Sequence, residues 1–339
     1  MAGLAGLAGL ALLPDAQRSS QSARRAASPH MGPPRPVTPM VGQGVAAKAQ
    51  AHPSSQHADI QKHVNQQPNG LLDFGDLHFG DVLGTGSFAS VFRGRYRNNV
   101  VAIKKLHLLP GAMMEQLGVF KQEVTNLQAL RHPRLVSLIG VSFSDPWLCI
   151  VTEFMPNGSL HELLHTRCQD IAMIQRHSIA TQVTEGVEFL HGRSPPFVHR
   201  DLKSMNVVLD FALNAKLCDF GLTQTMDQTH INRREKECGS PRYMAPELFD
   251  SRGRITEKVD IWALGCLIME VATGRIPHED CQSVEHVATK ILVQRQWPYT
   301  DFSGPGGAFR VLAELCFEYH PTYRVNVTGV LGGLRALRF

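Results

Sequence analysis

The chain has 339 residues, 43% of them apolar and 19% charged, enough for one large domain or for two lobes with substantial cores. Its net charge of +4 resides in the first 72 residues, so the remainder is balanced and carries no broad cationic footprint for nucleic acid. The longest apolar run, at the N-terminus, is about 14 residues, short of the roughly 18 to 20 that a membrane-spanning helix requires.

Residues 1–72 are rich in Ala, Ser, Pro, Gln and Gly, lack aromatics and show no periodicity that could cover a core, which predicts a disordered extension. The first 58 residues hold a single acid, Asp15, beside several Ser and Arg, so an organellar transit peptide stands as the alternative to a solvated tail. Seven scattered cysteines with no C-x-x-C pair fit a reducing compartment, and the expected location is cytoplasmic unless the N-terminus targets an organelle. From Leu77 short apolar strands alternate with turns, and a helix is predicted from about Met113 to Leu130. Helical patterns dominate after Phe154. Strands first and helices after predict an α+β chain in two lobes, joined near residues 153–158.

Four stretches carry chemistry. Gly84-x-Gly86-x-x-Ala89-x-Val91 lies between two strands of a predicted hairpin, where a glycine turn lets backbone N–H groups approach phosphate oxygens. No helix follows it, as a dinucleotide-binding fingerprint needs, and the Gly-Lys-Ser/Thr of a P-loop is missing. In "VVAIKK", alternation puts Val100, Ala102, Lys104 and Leu106 on one face and Val101, Ile103 and Lys105 on the other. Either lysine could be a solvated charge at a strand end. Glu123 favours Lys104, because it interrupts the helical apolar stripe of Phe120, Leu127 and Leu130 and an inward carboxylate needs a cation. Finally "VHRDLKSMN" brings Asp201, Lys203 and Asn206 into one loop, and Asp219-Phe220-Gly221 follows. Together they offer a carboxylate to orient a hydroxyl, a cation for a transferring phosphate and oxygen ligands for Mg2+. The same triplet at Asp73-Phe74-Gly75 precedes the glycine turn, and its place in chain order marks it as chance.

From Leu77 to Phe339 these motifs, with Ala245-Pro246-Glu247, resemble a eukaryotic protein kinase in order and spacing, and their wording is most similar to the tyrosine-kinase-like group of serine/threonine kinases. The resemblance implies a bilobal domain over residues 77–339, with a β-rich N-lobe (about 77–153) and a mainly helical C-lobe (about 158–339). It implies ATP and Mg2+, with Mn2+ as an alternative, and protein substrates with Ser or Thr acceptors. Gly84, Gly86 and Ala89 would cover the phosphates, and Lys104, paired with Glu123, would hold the α- and β-phosphates. Asp201 would orient the substrate hydroxyl, Lys203 would neutralise the γ-phosphate, and Asn206 and Asp219 would hold the metal. The adenine would lie among Leu83, Val91, Ala102 and Val208, against the backbone of Glu153 and Met155, with Thr152 at the back. Glu247 is expected to pair with Arg324, and Asp260 to brace the catalytic loop. Ala89 departs from the family's usual third glycine. Lys203 and Ser240 follow the serine/threonine version of the motifs, with dual specificity the alternative. Arg200 before Asp201 implies an upstream kinase that phosphorylates Thr223, Thr225 or Thr229, while Ser240 contacts the catalytic loop. A pseudokinase scaffold is the rival reading, and every group the chemistry needs is present.

One motif competes. His161-Glu162-x-x-His165 has the spacing of zinc metalloproteases, yet Cys168 and Ile171 stand where the extended pattern needs a glycine and a third histidine. Ser159-x-x-Glu162 reads instead as a capping box at the start of the helix that follows the hinge.

Overall fold

The computed structural model describes residues 70–86, 89–107, 113–144, 147–226, 240–249, 254–302 and 304–339. The expected extension over residues 1–69, Thr229 and Cys238 lie outside them. The N-lobe is built on one sheet of β1 (Leu71–Leu72), β2 (Leu77–Thr85), β3 (Ala89–Tyr96), β4 (Asn99–Leu106), β5 (Leu138–Ser144) and β6 (Trp147–Glu153), in the spatial order β1-β5-β6-β4-β3-β2. Four neighbouring pairs are antiparallel. Only β1 runs parallel to its neighbour, with Leu71 opposite Val141.

The sheet therefore takes in residues ahead of Leu77. Leu72 is buried with Leu77, Val101, Ile103, Cys149 and Val151 in the core behind the sheet, and Phe74 packs on that cluster. This also assigns Asp73-Phe74-Gly75 a local task. Asp73 Oδ1 accepts the Gly75 N–H at 2.9 Å and caps a single 3-10 turn leading into β2.

Helix α1 (Met113–Ala129) packs on the other face of the sheet with Leu117, Phe120, Val124 and Leu127 buried. The chain then passes through the hinge to a π-turn at Glu162–Thr166 and to α2 (Met173–His191), β7 (Phe197–Val198), β8 (Val207–Leu209), β9 (Ala215–Leu217), β10 (Gln224–Thr225), α3 (Pro246–Phe249) and α4 (Lys258–Thr273). It finishes with α5 (Val284–Leu292), α6 (Arg310–Cys316) and α7 (Val327–Ala336). Helix α4 is the axis of the C-lobe. Residues 259–272 are buried on every side, and the helix stops at Gly274, whose left-handed φ of 71° lets its N–H close on Glu270 O at 2.8 Å. Gly265 permits the close crossing of α4 and α6, because a Cβ there would meet Cys316 Cβ at 2.5 Å.

Backbone bonds tie the lobes together at the level of the cleft. Val136 N–H donates to Leu217 O, Leu217 N–H to Arg134 O, and Asn157 N–H to Leu209 O, all between 2.8 and 3.0 Å. No described helix is long and apolar enough to cross a membrane.

Candidate active site

Alternation along β4 sends Val101 and Ile103, both fully buried, into the core and leaves Ala102 and Lys104 half-buried on the face toward α1. Glu123 sits in the apolar stripe of α1, 5% exposed. Lys104 Nζ donates to its two oxygens at 2.8 and 2.9 Å and to Asp219 Oδ1 at 2.9 Å. Burial works against charge on Lys104, but the two carboxylates outweigh it and raise its pKa, so the ammonium is permanent. Enclosure also opposes charge on Asp219, yet Lys104 holds that carboxyl below its ordinary value. The Asp219 side chain stays 44% exposed, and its second oxygen makes no hydrogen bond to a described residue.

The loop after β7 supplies the second group. Asp201 Oδ2 accepts from Lys203 Nζ at 2.7 Å and from Asn206 Nδ2 at 3.0 Å, while Oδ1 accepts from Ser240 Oγ at 3.1 Å. Asn206 Nδ2 also donates to Asp201 O, which leaves its amide oxygen for another partner. Cys218 N–H donates to Asn206 O at 3.0 Å, so the hairpin of β8 and β9 carries Asn206 and Asp219 at one end. These two residues present one neutral and one anionic hard oxygen, a donor set that fits Mg2+.

Two non-glycine residues here hold left-handed backbone, Arg200 at φ 69° and Asp219 at φ 61°. Such conformations persist where the surroundings over-determine them. For Arg200 the support is Asp260, 1% exposed, which accepts the backbone N–H groups of His199 and Arg200 at 2.8 and 2.9 Å and the His191 Nε2–H at 2.9 Å. Burial opposes charge on Asp260, and these bonds and the neighbouring histidines carry its pKa down regardless. On the Asp219 side, Asn126 Nδ2 donates to Phe220 O at 3.1 Å and to Thr223 O at 2.8 Å, which fastens the segment to α1 with the Phe220 ring fully buried. Asn126 is a positioning residue that the sequence motifs do not reveal. Its one trace is a polar side chain inside the apolar stripe, and the two carbonyls it holds lie over ninety residues away.

The glycine turn is closed by Gly86 N–H to Ala89 O at 2.8 Å. A Cβ at Gly84 would meet nothing within 4 Å, so the space above that residue is open. Ala89 lies in β3 without left-handed φ, so the backbone does not require a third glycine there. Leu83 is 42% exposed on β2, Val91 pairs with Lys104 in register, and Ala102 faces Thr152. At the hinge the Glu153 carboxylate is engaged by Lys216 Nζ, 2.8 Å from each oxygen, and by Ser137 N–H at 2.7 Å, while its own N–H donates to Ser137 O at 3.0 Å. Met155 O accepts the Gly158 N–H, while Met155 N–H donates to no described residue. Val208 bridges to Ser159 on the lower side.

The expected supporting contacts are present. Arg324 and Glu247 form a buried two-pronged pair at 2.7 and 3.0 Å. Ser159 and Glu162 cap each other reciprocally, each backbone N–H 3.1 Å from the other's side-chain oxygen. Thr223 is fully buried, Thr225 half-buried in β10, and Ser240 rests on Asp201.

The fold corrects one expectation about the competing motif. The sequence shows no third ligand beside His161 and His165, but Glu270 reaches them from the last turn of α4, with His165 Nε2–H donating to Glu270 Oε1 at 2.8 Å. Glu162 is still engaged in the cap, so the cluster lacks the general base of a zinc protease.

The family model "Protein kinase domain" matches residues 77–332. A "Probable serine/threonine-protein kinase" of Dictyostelium discoideum is 34% identical over 272 residues, 78% of this chain and 28% of that protein. Serine/threonine-protein kinase TNNI3K of Homo sapiens is 34% identical over 207 residues, 61% of this chain and 25% of its own length. Serine/threonine-protein kinase CTR1 of Arabidopsis thaliana is 32% identical over 264 residues, 77% and 32% respectively. The chain thus spans about a third or less of each of these relatives. The matched model covers more than half of the chain, over the same residues that build the cleft, and the chain belongs to the protein kinase domain family.

Proposed function

We propose that the chain is a serine/threonine kinase of the tyrosine-kinase-like group, transferring the γ-phosphate of ATP to protein hydroxyls. The observation that carries this reading is Lys104 Nζ joined to Glu123 and Asp219 within one cleft that also holds Asp201, Lys203 and Asn206. The motif wording and the serine/threonine names of the relatives support the acceptor class.

In the transfer, the substrate oxygen forms a bond to the γ-phosphorus as the bond from that phosphorus to the ADP oxygen breaks. Asp201 accepts the hydroxyl proton, and its Oδ1, bonded only to Ser240, has a lone pair left to do so. Lys203 places a cation beside the same carboxylate, where charge moves from nucleophile to leaving group. Asn206 and Asp219 would hold Mg2+, which supplies neutralisation of the phosphate charge when bound. Lys104, fixed by Glu123, would position the α- and β-phosphates.

The test is transfer of labelled phosphate from ATP to a basic protein with Mg2+, followed by phosphoamino-acid analysis. Label on Ser and Thr is expected, and Lys104→Met is expected to lower transfer by about 100-fold or more, since it removes the phosphate-positioning cation. Absence of transfer from protein phosphorylated in its activation segment overturns the reading in favour of a scaffold. Control by phosphorylation belongs to the same proposal, supported by Arg200 preceding Asp201. Thr223 is buried, so active protein is expected to carry phosphate at Thr225 or Thr229. Peptide mass spectrometry that finds full activity with both unmodified rejects this.

A further inference from the structure

The histidine pair of the competing motif belongs to a polar cluster that the phosphotransfer reading leaves without a task. Glu270 is fully buried in α4, and both its oxygens are engaged. His165 Nε2–H donates to Oε1 at 2.8 Å and Tyr243 OH to Oε2 at 2.7 Å. Because a carboxylate only accepts, the direction of the remaining bonds follows. Tyr243 spends its proton on Glu270 and so accepts from Ser204 Oγ at 3.2 Å; Ser204 in turn accepts from His161 Nδ1 at 3.3 Å. His161 is thereby fixed with its proton on Nδ1 and a free lone pair on Nε2, the arrangement of a metal-ligating histidine whose other nitrogen is held by an outer partner. The local backbone is unusual as well. Arg167 N–H closes on Glu162 O at 2.8 Å across five residues, a π-turn that sets the two imidazoles 4.8 Å apart at their centroids.

We propose that His161, His165 and Glu270 form a Zn2+ site, and that its occupation lowers phosphotransfer. One ligand atom from each of the three lies within 4.8 Å of the others. A tetrahedral Zn2+ with bonds of about 2.1 Å places its ligands roughly 3.4 Å apart, so the His165–Glu270 contact opens slightly and the widest separation closes by side-chain rotation. Binding through Nε2 shifts the His165 ring proton to Nδ1, so the ring stays neutral, and leaves the fourth position to water. Two nitrogens and one carboxylate oxygen suit Zn2+ over Mg2+, which prefers oxygen. The link to transfer is short. Ser204 lies between Lys203 and Asn206, and Tyr243 is three residues from Ser240, which bonds Asp201. Movement of His161 or Glu270 toward a metal strains both segments. This coupling rests on the kinase reading, whereas metal binding does not.

The decisive experiment titrates the full chain, stripped of metal and held in excess Mg2+ without nucleotide, with Co2+, whose four-coordinate complexes absorb visible light far more strongly than octahedral ones. One Co2+ per chain, displaced by Zn2+, is expected. His161→Asn and His165→Gln, checked by circular dichroism for an intact fold, are each expected to weaken binding by roughly 100-fold or more, at least what loss of an outer partner costs. Cys168→Ser, which removes the exposed thiol near His165, and His320→Asn on the surface are expected to leave the band in place. Retention of the band by both histidine variants, or its loss in Cys168→Ser, overturns the site, and this arm reads out whether or not the chain transfers phosphate. At saturating Mg-ATP, micromolar Zn2+ is expected to inhibit the parent and not the variants; equal inhibition of all three overturns the coupling.

Discussion

Asp201→Asn is expected to lower the turnover number by about 1,000-fold while ATP affinity and melting temperature stay close to the parent values. The magnitude follows from loss of a positioned proton acceptor, which contributes roughly 100- to 10,000-fold. The substitution keeps the shape of a side chain that is 8% exposed, so packing around it is preserved. Its hydrogen bonds are not equivalent, however. Three donors converge on the carboxylate, from Lys203, Asn206 and Ser240, and an amide can accept at only one of its two positions. Whichever way the amide is turned, at least one donor faces an NH2 group, and two do when it replaces Oδ2. Local rearrangement of Lys203 then adds to the lost proton acceptor, and the effect is placed in the upper half of the range for that reason. Nucleotide binding depends on other residues, Lys104 and the open glycine turn, and is expected to change less than about threefold, a shift of well under 1 kcal/mol. Rapid-quench kinetics with a peptide substrate, beside direct nucleotide titration, separates the two quantities. A variant within tenfold of the parent turnover rules Asp201 out as the proton acceptor.

Much of this site was legible in the sequence because its groups sit in short runs whose residue types have few other uses. The pairing of Lys104 with Glu123 was also readable, since a carboxylate in an apolar stripe announces a buried partner before that partner is known. The same reasoning falls short at Glu270. It too interrupts an apolar run, yet its partners His165 and Tyr243 lie 105 and 27 positions away and nothing in local spacing points to either. Asn126 fails for a related reason, because an amide bonds backbone carbonyls that every residue possesses, and so its targets at Phe220 and Thr223 carry no sequence mark. The pairing of Leu71–Leu72 with β5 was not legible for want of length. Two leucines are too short a run to show periodicity, and Leu71–Leu72 becomes a strand only because β5 offers it an edge. The reciprocal cap of Ser159 and Glu162 was found because both halves of the signal fall within four residues.

The largest expected loss of stability follows from Glu247→Ala. Arg324 is 1% exposed, and all five of its N–H groups are engaged. Nε donates to Glu318 O, Nη1 to Glu247 Oε1 and Lys258 O, and Nη2 to Glu247 Oε2 and, at 3.4 Å, to Tyr319 O. The guanidinium also lies 5.3 Å from the centroid of the buried Trp262 ring. Carbonyl dipoles hold this cation in place, and among the described residues Glu247 alone neutralises it. Removing the carboxylate strands a charge in the middle of the C-lobe, a change that typically costs 3 to 5 kcal/mol and, for a domain of this size, about 10 °C of melting temperature. Glu247→Gln keeps one acceptor and is expected to lose less. Replacing both partners by apolar residues, Glu247→Leu with Arg324→Met, removes the stranded charge and is expected to be less damaging than the sum of the two single changes. Thermal melts of the parent and these variants, with each single change of the apolar pair alongside, test the set. If Glu247→Ala melts within about 2 °C of the parent, the pair is not what anchors the end of the activation segment to the C-lobe, and strict additivity in the double variant excludes that anchoring role as well.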